Sequence, residues 1–273
     1  MKTRKSQQQD YVHGYTETEH TRLLDQSRTL TDLLHHDTHY PAGAKVLEAG
    51  CGVGGQTVIL AKRSPRARFT SIDVSEESLA AARRLVAKER LANVTVETGD
   101  ILHLQFAEET FDHVFVCFVL EHLPKPLAAL QRLRAVLKTG GTLTAIEGDH
   151  GSTLFFPRSG DAWRTIQCLI DLQAKSGGNA LIGRELFPLL SQAGFRDVRV
   201  SPRMVYVDAS KPDFVDGFTK KTYIAMVEGV RREALRQRLI DAKTWEKGIA
   251  DLHRAAEADG TFCYTFFKGL VKK

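Results

Sequence analysis

Between residues 45 and 148 the chain repeats one pattern: a short apolar run, an amphipathic stretch, then another apolar run. The runs fall at 45–49, 68–73, 94–100, 113–120 and 142–148. The run at 113–120, "HVFVCFVL", is apolar almost throughout, as a strand buried on both faces must be. The stretches between them read as helices. One spans about 56–63 and stops near Pro65. A second spans 76–90, capped by Ser75, with Leu79, Ala82, Leu85 and Val86 on one face. A third opens at Pro124 and Pro126 and runs to about Leu137, followed by a turn at "KTGG". Strands alternating with helices pair in parallel through right-handed crossovers. The expected fold is therefore α/β and doubly wound, with helices on both faces of one sheet. Ligands of such sheets lie at the carboxyl ends of the strands. That draws together the polar residues Glu48, Asp73, Asp100, Glu121 and Glu147.

The flanks are less regular. Leucines 23, 24, 30, 33 and 34 predict a helix over about 18–36, ended by Pro41 and Gly43, while residues 1–9 look frayed. An amphipathic helix with Trp163, Ile166 and Ile170 falls within 151–180. Residues 183–195 read as a helix, although Pro188 requires it to start late or kink. Residues 198–208 and 261–273 read as strands six and seven, and 212–258 as largely helical. With 42% hydrophobic residues in 273, the chain can bury a full core.

Charge and cysteine content narrow the function classes. The net charge of +5 is scattered, with no basic groove interleaved with aromatics, so nucleic acid is not an expected partner. The four cysteines, Cys51, Cys117, Cys168 and Cys263, form no C-x-x-C pair, which suits a reducing compartment. No secretory h-region opens the chain and no run approaches the roughly 20 apolar residues of a membrane span. A cytoplasmic protein is expected. In "HHDTH", His35 and His39 share a helical face, but at a helix end before Pro41 they suit the dipole, and no metal is expected.

The turn after the first strand, "KVLEAGCGVGGQT", matches G-x-G-x-x-G at Gly50, Gly52 and Gly55. A glycine turn into a helix N-terminus suits phosphate, and it suits a carboxylate equally. Glu48, two residues before Gly50, would repel a diphosphate. It favours a ligand carrying an ammonium, a carboxylate and a ribose. Asp73 at the end of strand two can accept both ribose hydroxyls. Asp100 can accept from an adenine amino group while Ile101 packs on the ring. That set describes S-adenosylmethionine (SAM) better than NAD.

The segments "VLEAGCGVGG", "SIDVSEESLAAAR" and "VETGDILHLQFAEETFDHVFVCFVLEHLPKPLAALQRLRAVLKTGGTL" resemble, in order, the motifs of class I SAM-dependent methyltransferases. The resemblance covers about 45–148 and is weaker in "LLSQAGFRDVRV" and the last strand. It implies a Rossmann-like, seven-stranded, mostly parallel sheet with the last strand antiparallel, an N-terminal helical extension and helical lid insertions. It implies SAM as cofactor and S-adenosylhomocysteine (SAH) as product. The cofactor-facing set it implies is Glu48, Ala49, Gly50, Cys51, Gly52, Gln56, Asp73, Val74, Ser78, Gly99, Asp100, Ile101, Cys117, Phe118 and His122. The element "VLEHLPKP" and the extension "DYVHGYTETEHTRL" resemble small-molecule methyltransferases of the ubiquinone-biosynthesis type, with Tyr11 and Tyr15 set to close over the cofactor. The division expected is 1–42 extension, 43–150 SAM-binding core, 151–182 lid insertion, and 183–273 completing the sheet with a helical insertion at 212–258. A homodimer is left open.

Methyl transfer from a sulfonium is an in-line displacement in which positioning dominates. A general base helps where the acceptor must lose a proton. "IEGDHGS" supplies the candidates: His150 as base, with Asp149 or Glu147 orienting it or binding a cationic substrate. The expected reaction is methylation of a small molecule on oxygen, nitrogen or carbon. The alternatives are a SAM-binding module that transfers nothing, an NAD-dependent reductase resting on the literal glycine match, and an RNA or DNA methylator resting on net charge.

Overall fold

The computed structural model describes residues 17–273. The expectations for residues 1–9, Tyr11 and Tyr15 lie outside the described residues. Seven strands form one sheet: β1 (Lys45–Ala49), β2 (Arg68–Asp73), β3 (Val94–Thr98), β4 (Phe111–Cys117), β5 (Leu137–Phe156), β6 (Arg196–Val207) and β7 (Thr261–Lys272). Their order is β3-β2-β1-β4-β5-β7-β6. The first five pair in parallel, and β7 runs antiparallel to both neighbours. The doubly wound sheet and the reversed last strand are as expected.

Side-chain alternation divides the core in two. On one face Val46, Phe69, Phe115 and Ile146 pack with α1 (Glu17–Thr29), α2 (Thr31–His35) and α3 (Gly55–Arg63), and with the helices after β5. On the other, Leu47, Ile72, Val114, Val116 and Leu143 pack with α5 (Pro126–Val136) and α7 (Leu186–Gln192). Between them in sequence come α4 (Glu76–Lys88), whose Ser75 cap accepts from Ser78 N–H, and α6 (Gly160–Lys175). After β6 the chain forms α8 (Pro212–Phe214), a ten-residue π-helix (Val215–Ile224), α9 (Ala225–Gly229), α10 (Arg231–Arg236) and α11 (Ala242–Arg254).

Three local expectations need correction, and a fourth resolves one way. The helix predicted over 18–36 is two, α1 and α2. Of the two outcomes that Pro188 left for the helix read over 183–195, the late start is the one seen: α7 begins at Leu186, which puts Pro188 in the first turn, where an N–H has no intrahelical partner to lose. The "KTGG" turn lies inside β5, as a register irregularity with Gly140 at φ +79°. And β5 continues past Gly148 to Phe156, because β7 pairs along most of its length.

The α1–α2 pair is fastened to the sheet by a buried cation. Lys268 of β7 donates to the Leu34 carbonyl (2.9 Å), the Thr38 hydroxyl (2.5 Å) and Asp37 (2.6 Å). Arg203 of β6 holds Asp37 from the other side at 2.5 Å.

Candidate active site

The loop from β1 to α3 folds back over the end of β2. Gly50 and Cys51 both donate their N–H to the Ile72 carbonyl, at 2.8 and 2.9 Å. Gly50 has φ +79°, and a Cβ there would come within 2.4 Å of Val119 Cγ2, so glycine is required twice over. Asp73 fastens the loop: its carboxylate accepts from Gly52 N–H (2.8 Å) and Ser75 N–H (2.9 Å). Burial raises the Asp73 pKa above the ordinary carboxylate range, against these amide hydrogen bonds.

Beside this loop lies a cavity of about 880 Å³ at the carboxyl ends of the strands. Its walls include Gly50, Cys51, Gly52, Gln56, Asp73, Val74, Ser78, Gly99, Asp100, Ile101, Cys117, Phe118 and His122. These are residues that the sequence reading assigns to the cofactor, and the fold brings them to one cavity. Asp100 caps the turn Ile101–His103 by accepting from Leu102 N–H (2.8 Å) and stands 2.7 Å from His103 Nδ1. Phe118 takes φ +58°, unusual for an aromatic residue, and stacks on Phe266 with ring centroids 5.2 Å apart.

Glu48 and Ala49 are not on the wall. Ala49 is fully buried in the core. The Glu48 carboxylate sits beneath the loop, accepting from the hydroxyls of Thr57 and Ser71, each at 2.6 Å. Burial pushes its pKa up to about 7, with Ser71 and Thr57 opposing and Asp73 adding to the rise. Its place is structural support of the glycine turn, in contrast to the ligand contact expected from sequence.

Other wall residues were not foreseen. Helix α1 brings Glu19, His20, Leu23, Gln26 and Ser27, and the end of α6 brings Gln173, Ser176 and Gly178. The polar residues spaced along α1 were the available signal. Nothing local marks the α6 end, which is held beside the cavity by Gln173 donating to both the carbonyl (3.1 Å) and carboxylate (3.0 Å) of Glu121. Below Gln56, His35 Nε2 lies 2.6 Å from the Gln56 side-chain oxygen, and burial lowers the His35 pKa to about 4.

A second cavity of about 50 Å³ adjoins the first, sharing Leu23, Gln26, Phe118 and His122 with it. Its other walls include His150, Tyr264, Phe266 and the π-helix residues Phe218, Thr222 and Tyr223. Burial lowers the pKa of both His122 and His150. Of the three catalytic candidates only His150 reaches a cavity. Glu147 points beneath the β4 exit, where its Oε1 accepts from Val119 N–H (3.2 Å) and Leu120 N–H (2.9 Å). Asp149 is clamped by Arg184 through two bonds of 2.8 Å and does not touch the His150 ring. Glu147 Oε1 and the Asp149 carboxylate are engaged by backbone and ion-pair partners that a sequence window does not contain, while Glu147 Oε2 is buried with no hydrogen-bond partner among the described residues.

The larger cavity fits a sulfonium nucleoside. The loop beside Gly52 is open where a Cβ would meet nothing within 4 Å, Asp73 and Asp100 offer carboxylates, and Ile101 an apolar surface. Its volume lies within the roughly 300–1,000 Å³ of small-molecule sites.

Residues 46–141 match the model of a family described as methyltransferase domain. Demethylmenaquinone methyltransferases of Staphylococcus aureus strains are 36% identical over 106 residues, 38% of this chain and 43% of theirs. The chain thus aligns with less than half the length of these relatives. Among solved structures, phosphoethanolamine N-methyltransferase 2 of Haemonchus contortus superposes with a TM-score of 0.59 at 15% identity, covering 98% of this chain and 59% of that one. The [4+2]-cyclase SpnF gives 0.56 at 22% identity, covering 90% and 81%. A methyltransferase-like protein from Bacillus halodurans C-125 gives 0.54 at 16%, covering 92% and 98%. These three likenesses speak for the fold alone. Residues 46–141 of this chain are thus similar to a methyltransferase domain, on a fold shared with SAM-dependent methyltransferases of known structure.

Proposed function

We propose that this protein transfers a methyl group from SAM to a small-molecule acceptor. The observation that carries this is that the two cavities lie side by side, sharing Phe118 and His122 as wall residues. The larger has room for a nucleoside cofactor, and the smaller is an aromatic pocket beside it. When bound, SAM supplies an activated methyl carbon. The protein's part is to bind, align and keep water out. Asp73 takes the ribose hydroxyls, Asp100 and Ile101 the adenine, and the glycine-loop amides the carboxylate. Gln56, Cys117 and His122 complete the wall, with Val74 and Ser78 at its rim. Segment 151–182 contributes Gln173 and Gly178 to one side, and 212–258 contributes Phe218 and Tyr223 over the acceptor end.

A small acceptor is supported by the neighbours. The Haemonchus contortus enzyme is in complex with phosphomonomethylethanolamine and SAH, and the curated relatives are named for a demethylmenaquinone substrate. The acceptor atom, whether oxygen, nitrogen or carbon, is left to experiment. Among the described residues no helix is long and apolar enough to cross a membrane.

The test has two arms. Calorimetry should find SAH bound and NADH unbound, and NADH binding without SAH binding would reverse the cofactor assignment. Tritiated methyl from SAM should enter the low-molecular-weight fraction of a cell extract. Label confined to RNA or protein would overturn the small acceptor. SAH binding with no labelled product would favour a chain that uses the fold without methyl transfer, as the SpnF likeness warns.

A further inference from the structure

His150 has every polar group but one engaged. Its N–H donates to the Ala180 carbonyl (2.9 Å). Its carbonyl accepts from the Thr153 hydroxyl (2.8 Å), which also lies 2.6 Å from the Tyr223 hydroxyl. Ring nitrogen Nδ1 is 2.7 Å from the Tyr264 hydroxyl. Nε2 is buried with no hydrogen-bond partner among the described residues, in a side chain that lines the smaller cavity. His150 is 4% exposed.

The tyrosine decides which nitrogen carries the proton. Among the described residues the Tyr264 hydroxyl lies within hydrogen-bond distance of one partner, His150 Nδ1. Its own hydroxyl proton has Nδ1 as its acceptor. Were Nδ1–H the donor, the hydroxyl proton of the buried Tyr264 would be left without an acceptor, a costly arrangement. With Tyr264 donating, both the hydroxyl proton and the Nδ1 lone pair are satisfied.

We propose that Tyr264 is a positioning residue that fixes the proton of neutral His150 on Nε2, so that the ring presents an N–H donor to an oxygen lone pair of the methyl acceptor. His150 is then a donor and not the general base expected from the sequence. The ligand class follows: an acceptor bearing a carbonyl, enolate or phenolate oxygen on an apolar body that packs among Phe118, Phe218 and Phe266. A hydrogen bond from this donor strengthens as charge gathers on the oxygen. Burial keeps the imidazole from taking a second proton, despite Glu121 nearby. Only the naming of the ligand as methyl acceptor rests on the function proposed above.

The experiment is long-range ¹H–¹⁵N correlation on the full chain labelled with ¹⁵N-histidine, at pH 7.5, with His150 identified by its loss in His150→Gln. The wild type should show the His150 proton on Nε2. Tyr264→Phe keeps the ring and removes the donor, and should give a mixture of tautomers. A wild-type proton on Nδ1, or an unchanged pattern in Tyr264→Phe, overturns the assignment. Should Tyr264→Phe fail to fold, the wild-type spectrum alone decides. With SAH present, 4-nitrophenolate should move the His150 Nε2–H proton downfield and benzylammonium should not. No shift at the probe's solubility limit, or equal shifts with both, overturns the oxygen class. Calorimetry with SAH reads the proposed function separately: SAH binding beside a wrong tautomer sinks this inference alone, and loss of SAH binding sinks that function while the tautomer is still read.

Discussion

The Tyr264 hydroxyl occupies the space that a side chain at Gly148 would need: a Cβ built on Gly148 would lie 2.3 Å from it. Gly148→Ala therefore forces the tyrosine away from His150 or strains β5. We expect a loss of about 1–3 kcal/mol, the usual cost of overpacking a core. Adding Tyr264→Phe should recover part of it, since the clashing atom is gone. Urea denaturation of both single variants and the double variant measures that coupling.

Asp73 has two duties in this arrangement, bracing the Gly52 amide and facing the cavity. Asp73→Ala removes a charged acceptor from both. Loss of one or two charge-assisted hydrogen bonds, about 1.5–3 kcal/mol each, predicts SAH affinity at least roughly tenfold weaker. Calorimetry on the folded variant checks it. Unchanged affinity would remove Asp73 from the ribose site.

These two residues show what was legible. Asp73 ends an apolar strand before a capped helix, and both signals are local, so its place at the sheet's rim could be read directly. The role of Gly148 could not, since the partner that demands it lies 116 residues away on β7. Likewise "EGDHGS" looked like the loop after a strand. Its polar residues sit inside β5, where Leu120 N–H, Arg184 and Tyr264, all distant in sequence, each engage one of Glu147, Asp149 and His150 in turn. Glu48 was misplaced for the same reason: the hydroxyls that hold it, on Thr57 and Ser71, belong to two different elements.

The Lys268–Asp37 pair predicts how the N-terminal helices detach. Burial alone would raise the Asp37 pKa; Lys268 and then Arg203 outweigh it and hold it down to about 2. A depressed carboxyl stabilises the fold above its ordinary pKa, and the effect is lost as pH falls towards 2. Asp37→Asn leaves Lys268 buried without its counter-ion. Because Asp37 itself is 43% exposed, solvent screens the pair, and a cost of about 1–2 kcal/mol is expected at pH 7, below that of a fully buried pair. Thermal melts at pH 7 and pH 3 should show the difference between wild type and variant shrinking in acid.

Glu48 predicts the opposite trend. Its folded pKa of about 7 exceeds the ordinary value of 4.5. The unfolded chain therefore releases this proton first, and stability is lost as pH rises from about 4.5 to 7. The linkage amounts to about 2 kcal/mol between pH 5 and pH 8. Glu48→Gln keeps an oxygen for Thr57 and Ser71 and removes the titration. Relative to wild type it should gain stability progressively from pH 5 to pH 8 in urea denaturation. A constant difference across that range would mean that Glu48 stays ionised in the folded protein.

His35 works against Glu48 from the other side of the same loop. Its pKa is lowered from 6.5 to about 4 by burial, partly offset by the bond to Gln56. A neutral buried histidine makes the fold less stable as pH falls through 6.5, because the unfolded chain takes up the proton first. The two shifts are similar in size, opposite in sign and overlap between about pH 4.5 and 6.5, so in the wild type they largely cancel. His35→Gln preserves a donor for Gln56 and deletes one arm. Its stability relative to wild type should rise as pH falls from 7 to 5, by about 2 kcal/mol, while the Glu48→Gln difference moves the other way. The double variant should restore a nearly constant difference from wild type over that range. If the His35→Gln difference does not change with pH, the imidazole is not held neutral beneath Gln56, and the link from α2 to the cavity wall is not the buried hydrogen bond described above.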